Sequence, residues 1–73
     1  MEENKLYKVT KYMTVAQVLA KDKGSSQVFI NNGLNCIDYP VLESESIENA
    51  SIQYEVDVNK LVEDLNNYFL ILK

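Results

Sequence analysis

The chain has 73 residues, of which 47% are apolar and 25% charged, with two Gly, one Pro, one Cys and no His. This composition is that of one small soluble domain and excludes collagenous, disordered and disulfide-scaffolded proteins. A chain without His and with a single Cys cannot build a His-based acid/base pair, a zinc site of Cys and His, or an internal disulfide, and it has no apolar run long enough to span a membrane. We therefore expect no enzymatic activity, no metal or other cofactor, and no membrane partner.

Charge is distributed unevenly along the chain, with a net value of −4. Residues 1–24 contain five Lys and three acidic residues, whereas residues 25–73 contain eight acidic residues and two Lys. The chain has no Arg, so the bidentate phosphate and guanine contacts of nucleic-acid binders are missing and we expect no nucleic-acid partner. The acidic part is interpreted as a solvated surface rather than as a region that attracts a protein partner or a second copy. The unpaired cysteine and the absence of a signal or lipidation pattern predict a cytoplasmic protein.

Residues 1–12 are polar with scattered apolar side chains, which predicts an irregular N-terminal arm that crosses the core through Leu6 and Val9. Residues 13–73 are then interpreted as a single helical domain. Thr14 and Gln17 have the spacing of a capping box, which predicts a first helix over about residues 15–21. Its Val15, Val18 and Leu19 follow the spacing of one helix face and are assigned to the core.

Gly24, Ser25 and Ser26 interrupt this helix and offer caps for a second helix over about 27–32. Gly33 can adopt the left-handed conformation that ends a helix, and Leu34 would then contact Phe29. Residues 34–45 show no periodicity and are expected to be irregular.

Ser46 is positioned to cap a third helix over about 47–54, and Asp57 to cap a fourth over about 58–72. The fourth helix has the clearest apolar stripe, formed by Val58, Leu61, Val62, Leu65, Tyr68, Phe69 and Leu72. Its opposite face is assigned to Asn59, Lys60, Glu63, Asp64, Asn66 and Asn67. Four principal short helices with short connections predict a small all-α bundle.

Few residues offer chemistry. Cys36 is interpreted either as an inert packing thiol or as a loop thiol that forms a mixed disulfide, although Asp38 would raise rather than lower its pKa. Leu70 and Ile71 extend the apolar surface of the last helical turn, so they form a candidate interface, covered either by the N-terminal arm or by a partner or second copy.

Several stretches together resemble the hybrid-cluster-protein-associated redox disulfide domains, a family of small bacterial and archaeal domains of unknown function. The resemblance spans about residues 9–68 and rests on the Val-Phe-x-x-x-Gly-Leu-x-Cys stretch at 28–36, the Ser-Ile-Glu-x-Ala stretch at 46–50 and the capped last helix from 57. The same layout resembles the N-terminal domain of iron-sulfur cluster repair proteins. The family implies a small helical fold whose Cys-x-x-Cys-Pro loop cycles between dithiol and disulfide.

This chain departs from the family pattern in that loop, because Cys36 and Pro40 are present but Tyr39 occupies the position of the second Cys. Glu55 also stands where the family commonly has Gly. The leading hypothesis is therefore a non-enzymatic interaction or dimerisation module, a degenerate relative of a redox domain. The alternative is a single-cysteine redox protein that forms a mixed disulfide through Cys36.

Overall fold

The computed structural model describes residues 7–35 and 40–71, without the side chains of Pro40 and Ile71. Within these residues the chain forms four α-helices and no sheet, which confirms the all-α prediction. The helices are α1 Val15–Lys21, α2 Ser26–Asn31, α3 Ile47–Gln53 and α4 Val58–Ile71. A first 3-10 helix, Lys23–Ser25, lies between α1 and α2, and a second, Pro40–Ser44, precedes α3.

The helix boundaries agree with the sequence prediction to within one residue, and α1 agrees at both ends. The main difference is the second 3-10 helix, which lies in a segment predicted to be irregular. It leaves no periodic signal because a 3-10 helix of five residues is too short to show a repeat.

Three of the predicted helix caps are present. Thr14 and Gln17 form the reciprocal capping box at α1, Ser46 Oγ accepts a hydrogen bond from the Asn49 amide, and Asp57 Oδ1 accepts one from the Lys60 amide. Side-chain oxygens at these positions pair with backbone donors that have no partner within the helix.

The predicted serine cap of α2 is wrong. Ser25 makes no capping hydrogen bond, and its hydroxyl instead donates to the Asp22 carbonyl over 2.7 Å. Asp22 takes the capping role one turn earlier, where its carboxylate accepts a hydrogen bond from the Gly24 amide. The cap lies at Asp22 because the first 3-10 helix begins at the next residue, Lys23, and leads directly into α2.

Two Schellman motifs end α2 and α3 with the same hydrogen-bond pattern. In the first, Leu34 N–H donates to the Phe29 carbonyl over 2.8 Å and Gly33 has a φ of +101°. In the second, Val56 N–H donates to the Ser51 carbonyl over 2.8 Å and Glu55 takes the left-handed position with a φ of +57°. Glu55 therefore accepts the conformation that the family pattern assigns to Gly.

The N-termini of α1 and α3 lie side by side. Thr14 and Ser46 form an isolated antiparallel bridge, in which the Val15 amide donates to the Glu45 carbonyl and the Ile47 amide donates to the Met13 carbonyl. The Lys11–Glu48 ion pair, at 3.4 Å, lies beside this bridge. The bridge fixes the second 3-10 helix against the start of α1.

One apolar cluster forms the core of the part of the chain that the structure describes. It contains Val9, Val15, Val18, Phe29, Leu34, Leu42, Ile47, Ala50, Leu61, Leu65 and Phe69. Helix α4 packs against α2 and α3 through its predicted stripe. Leu19 is only half-buried, so its assignment to the core face with Val15 and Val18 is correct only in part.

Asn66 corrects the predicted polar face of α4. Its side-chain amide pairs with the backbone of Val9, accepting from the Val9 amide over 2.7 Å and donating to the Val9 carbonyl over 3.1 Å. Tyr7 adds an edge-to-face contact with Phe69, with the ring centroids 4.8 Å apart. These contacts hold the described end of the N-terminal arm on the C-terminal half of α4.

Candidate functional site

An open groove of about 460 Å³ lies along α1. Ala16, Leu19 and Ala20 of α1 form its floor. Lys23, Ser26 and Glu43 complete the lining, from the first 3-10 helix, from α2 and from the second 3-10 helix. We call this feature the α1 groove.

The two charged residues of the α1 groove lie at opposite ends of α1. Lys23 follows the C-terminal end of the helix, whereas Glu43 lies two residues before Glu45, whose carbonyl accepts from the Val15 amide at the N-terminal end. Seven helical residues span about 10 Å. Among the described residues, neither Lys23 nor Glu43 has an ion-pair partner.

The turn that carries Lys23 is held by α4. Asp22 Oδ1 accepts from the Gly24 amide, and Asp22 Oδ2 accepts from the Tyr68 hydroxyl over 2.8 Å. A Cβ at Gly24 would collide with the Tyr68 hydroxyl, so glycine is required for this close approach. The hydrogen bond to Asp22, with a smaller contribution from burial, raises the pKa of Tyr68.

A second, smaller concavity of about 200 Å³ lies at the C-terminal end of α4, lined by Tyr7, Lys8, Asn66, Asn67 and Leu70. Leu70, one of the two predicted interface residues, lies here with 49% of its surface exposed. The side chain of Ile71, the other, is outside the described residues.

The predicted redox loop also lies outside the described residues. Cys36 and Tyr39 fall in the gap between residues 35 and 40, and Pro40 is described only as the backbone start of the second 3-10 helix. The degenerate motif loop and the candidate redox thiol at Cys36 therefore stay predictions.

A polar link joins the C-terminal end of α2 to α4. Asp64 accepts from Lys60 over 2.7 Å and from the Asn32 side chain over 3.1 Å. The hydrogen bond to Lys60, followed by the one to Asn32, lowers the pKa of Asp64, and the same bond to Asp64 raises the pKa of Lys60. The charges of Lys60 and Asp64 neutralise each other within this link, so we assign these side chains a structural role.

The described residues include no group of three or more metal-ligating side chains, and none of their helices is long and apolar enough to cross a membrane. Among the described residues, the buried Ser51 Oγ stands out because it has no hydrogen-bond partner there. It belongs to the tightly packed face of α3, beside Ala50, and is 1% exposed.

Sequence reasoning missed the α1 groove because it assigned Leu19 to the core. A signal for the floor of the groove does exist: Ala16, Leu19 and Ala20 recur at three- and four-residue spacing, which places them on one face of α1. The polar wall from Glu43 has no such signal, because it comes from a segment remote in sequence.

Comparisons with known proteins agree with this fold. The family model described as "Domain of unknown function (DUF1858)" matches residues 9–62. An NMR solution structure of a protein from Clostridium thermocellum is 45% identical, with 88% of this chain and 91% of that chain covered and a TM-score of 0.80. A solution structure of an uncharacterized protein from Methanocaldococcus jannaschii is 32% identical, with 90% of each chain covered and a TM-score of 0.79. No curated protein matches the chain.

The family match contains every residue that lines the α1 groove, together with the Cys36 loop, and ends before Leu70. With most of its length matched by the family model and its fold shared with two solved relatives, the chain belongs to the DUF1858 family of domains of unknown function.

Proposed function

We propose that this chain is a small helical interaction module without catalytic activity of its own, and that it binds its partner in the α1 groove. The observation that carries the proposal is the groove itself, an open surface with an apolar floor and with two charged residues, Lys23 and Glu43, that pair with no other described residue. Interfaces of this kind combine an apolar centre with a polar rim.

The contacts that hold the groove walls in place support this proposal. The bridge between Thr14 and Ser46 fixes one end of α1 relative to the second 3-10 helix, and the hydrogen bond between Tyr68 and Asp22 fixes the turn at the other end. A preformed surface loses less conformational entropy on binding than a surface that must first become ordered.

We further propose that the chain is a degenerate relative of the hybrid-cluster-protein-associated redox disulfide domains, acting in a reducing cytoplasm. The sequence supports this, since Cys36 and Pro40 are retained while Tyr39 replaces the second Cys. An internal disulfide cannot form with one cysteine, so binding rather than two-electron chemistry is the function that this relative retains. No contact of the described residues favours the single-cysteine redox alternative through Cys36.

Site-specific photo-crosslinking tests the proposal in cells that carry the gene. A benzophenone amino acid at Ala20, an exposed groove residue, should yield a crosslinked product that mass spectrometry identifies as a protein. The same amino acid at Glu63, exposed on α4, is the matched control. Adding Ala16→Gln, which fills the groove with a good helix former, should remove the product.

Equal yields from the two positions, or a product from Ala20 that survives Ala16→Gln, would contradict binding in the α1 groove. The mass of the product separates two kinds of partner, because a second copy of the chain gives twice the mass of 8.4 kDa.

A further inference from the structure

We propose that the occupant of the α1 groove is the same groove of a second copy of this chain, so that two α1 helices cross in a two-fold symmetric homodimer. This inference rests on the proposed function, because it names the partner of that same surface. In a two-fold interface each copy contributes the same patch, so the patch must be complementary to itself.

The charges of the α1 groove satisfy this requirement. A cation, Lys23, follows the C-terminal end of α1, and an anion, Glu43, lies on the segment that is bridged to its N-terminal end. A two-fold axis through the middle of the groove places Lys23 of each copy against Glu43 of the other copy. Two ion pairs form in this way, from side chains that have no ion-pair partner in the described part of their own chain.

The floor of the groove suits close helix packing. Ala16 and Ala20 lie one turn apart on the same face of α1, and their side chains end at Cβ. Helix axes approach to about 8 Å, the short end of the usual range, where the contact residues are small. Leu19 beside them supplies the larger apolar side chain, and it is half-buried in the monomer.

The dimer is expected to be weak, because the groove is short and open. We expect a dissociation constant on the order of 0.1–1 mM, typical of an interface below the standard size. Sedimentation equilibrium up to about 1 mM protein, together with NMR shift changes on dilution, measures association in this range.

Charge reversal provides the sharp test. Lys23→Glu and Glu43→Lys each turn both intermolecular pairs into like-charge pairs, so each should weaken the dimer about tenfold or more. The double variant Lys23→Glu with Glu43→Lys keeps the net charge of −4 and exchanges the two partners, so it should restore wild-type association. An equimolar mixture of the two single variants should also dimerise, since every pair then joins a lysine to a glutamate.

Lys8→Glu is the matched control, because it makes the same charge change as Lys23→Glu at an exposed position outside the groove. Circular dichroism of each variant checks that the helices are retained. The proposal is overturned if the wild-type protein is monomeric up to about 1 mM, if Lys8→Glu weakens the dimer as much as Lys23→Glu, or if the double variant fails to restore association.

The two proposals fail in different ways. A monomeric wild-type protein that still gives an Ala20-dependent crosslink to a different protein removes the second copy as occupant and leaves the binding groove intact. Loss of the Ala20-dependent crosslink to every protein, with a monomeric wild type, removes both.

Discussion

Replacing Glu55 with glycine should stabilise this protein, although the change removes a side chain. Glu55 has a φ of +57° at the left-handed position of the Schellman motif that ends α3. A residue with a Cβ pays roughly 1–2 kcal/mol for this conformation, whereas glycine loses about 0.4–1 kcal/mol of stability through the greater entropy of its unfolded chain. The difference is a net gain of about 0.8 kcal/mol, or about 3–6 °C in melting temperature for a domain of this size.

Thermal and urea unfolding followed by circular dichroism measure this gain. Glu55→Ala is the matched control, because it removes the same charge and the same exposed side chain but keeps the Cβ. Gly33→Ala, at the equivalent position of the first Schellman motif, should show the opposite sign, since φ is +101° there. If Glu55→Gly and Glu55→Ala have equal stability, the reasoning from backbone strain is refuted.

Substitutions at four further positions test the contacts that hold the fold. Asn66→Ala should lower the free energy of unfolding in urea by about 1–3 kcal/mol, because both backbone groups of Val9 lose their partner. Asn66→Asp keeps only the acceptor, so its stability should lie between those of the wild type and Asn66→Ala. Wild-type stability in Asn66→Ala would contradict the role of this amide. Ser51→Ala should be neutral or stabilising by up to about 1 kcal/mol, because it removes a buried hydroxyl that has no partner, and a clear loss of stability would show that the hydroxyl is bonded. Gly24→Ala should lower the melting temperature, because the added Cβ displaces the Tyr68 hydroxyl. In a Tyr68→Phe background, Gly24→Ala should lower the melting temperature less. If the two changes lower it additively, the close approach is contradicted. The pKa of Tyr68 is raised in the folded protein. Its hydrogen bond therefore contributes its full stability below the unfolded pKa of about 10, and this contribution is lost as pH rises through the folded pKa. Tyr68→Phe should consequently reduce the loss of stability that the protein shows at alkaline pH.

The pairing of Lys60 with Asp64 shows that local spacing is readable from sequence. The two residues are four apart on α4, which places their side chains together on any helix. The same holds for the capping box of α1 and the glycine that ends α2, since each of these contacts closes within a few residues. Such features depend on backbone geometry alone.

Asn66 and Glu43 show where that reasoning ends. Asn66 was assigned to the polar face of α4, but its amide pairs with Val9, 57 residues away in the chain. Glu43 forms the end of the α1 groove only because the Thr14–Ser46 bridge brings two distant segments together. No periodicity encodes contacts of this kind, because they depend on how the finished helices pack.

The sequence by itself determined the helical class, the helix boundaries to within a residue and the loss of an internal disulfide at Tyr39. These follow from apolar spacing, capping residues and the count of cysteines. Only the tertiary structure decided that Leu19 would line an open groove and that glycine was required at position 24. Each of these depends on a neighbour that packing supplies, Glu43 for Leu19 and Tyr68 for Gly24, and packing brings together residues that the chain keeps apart.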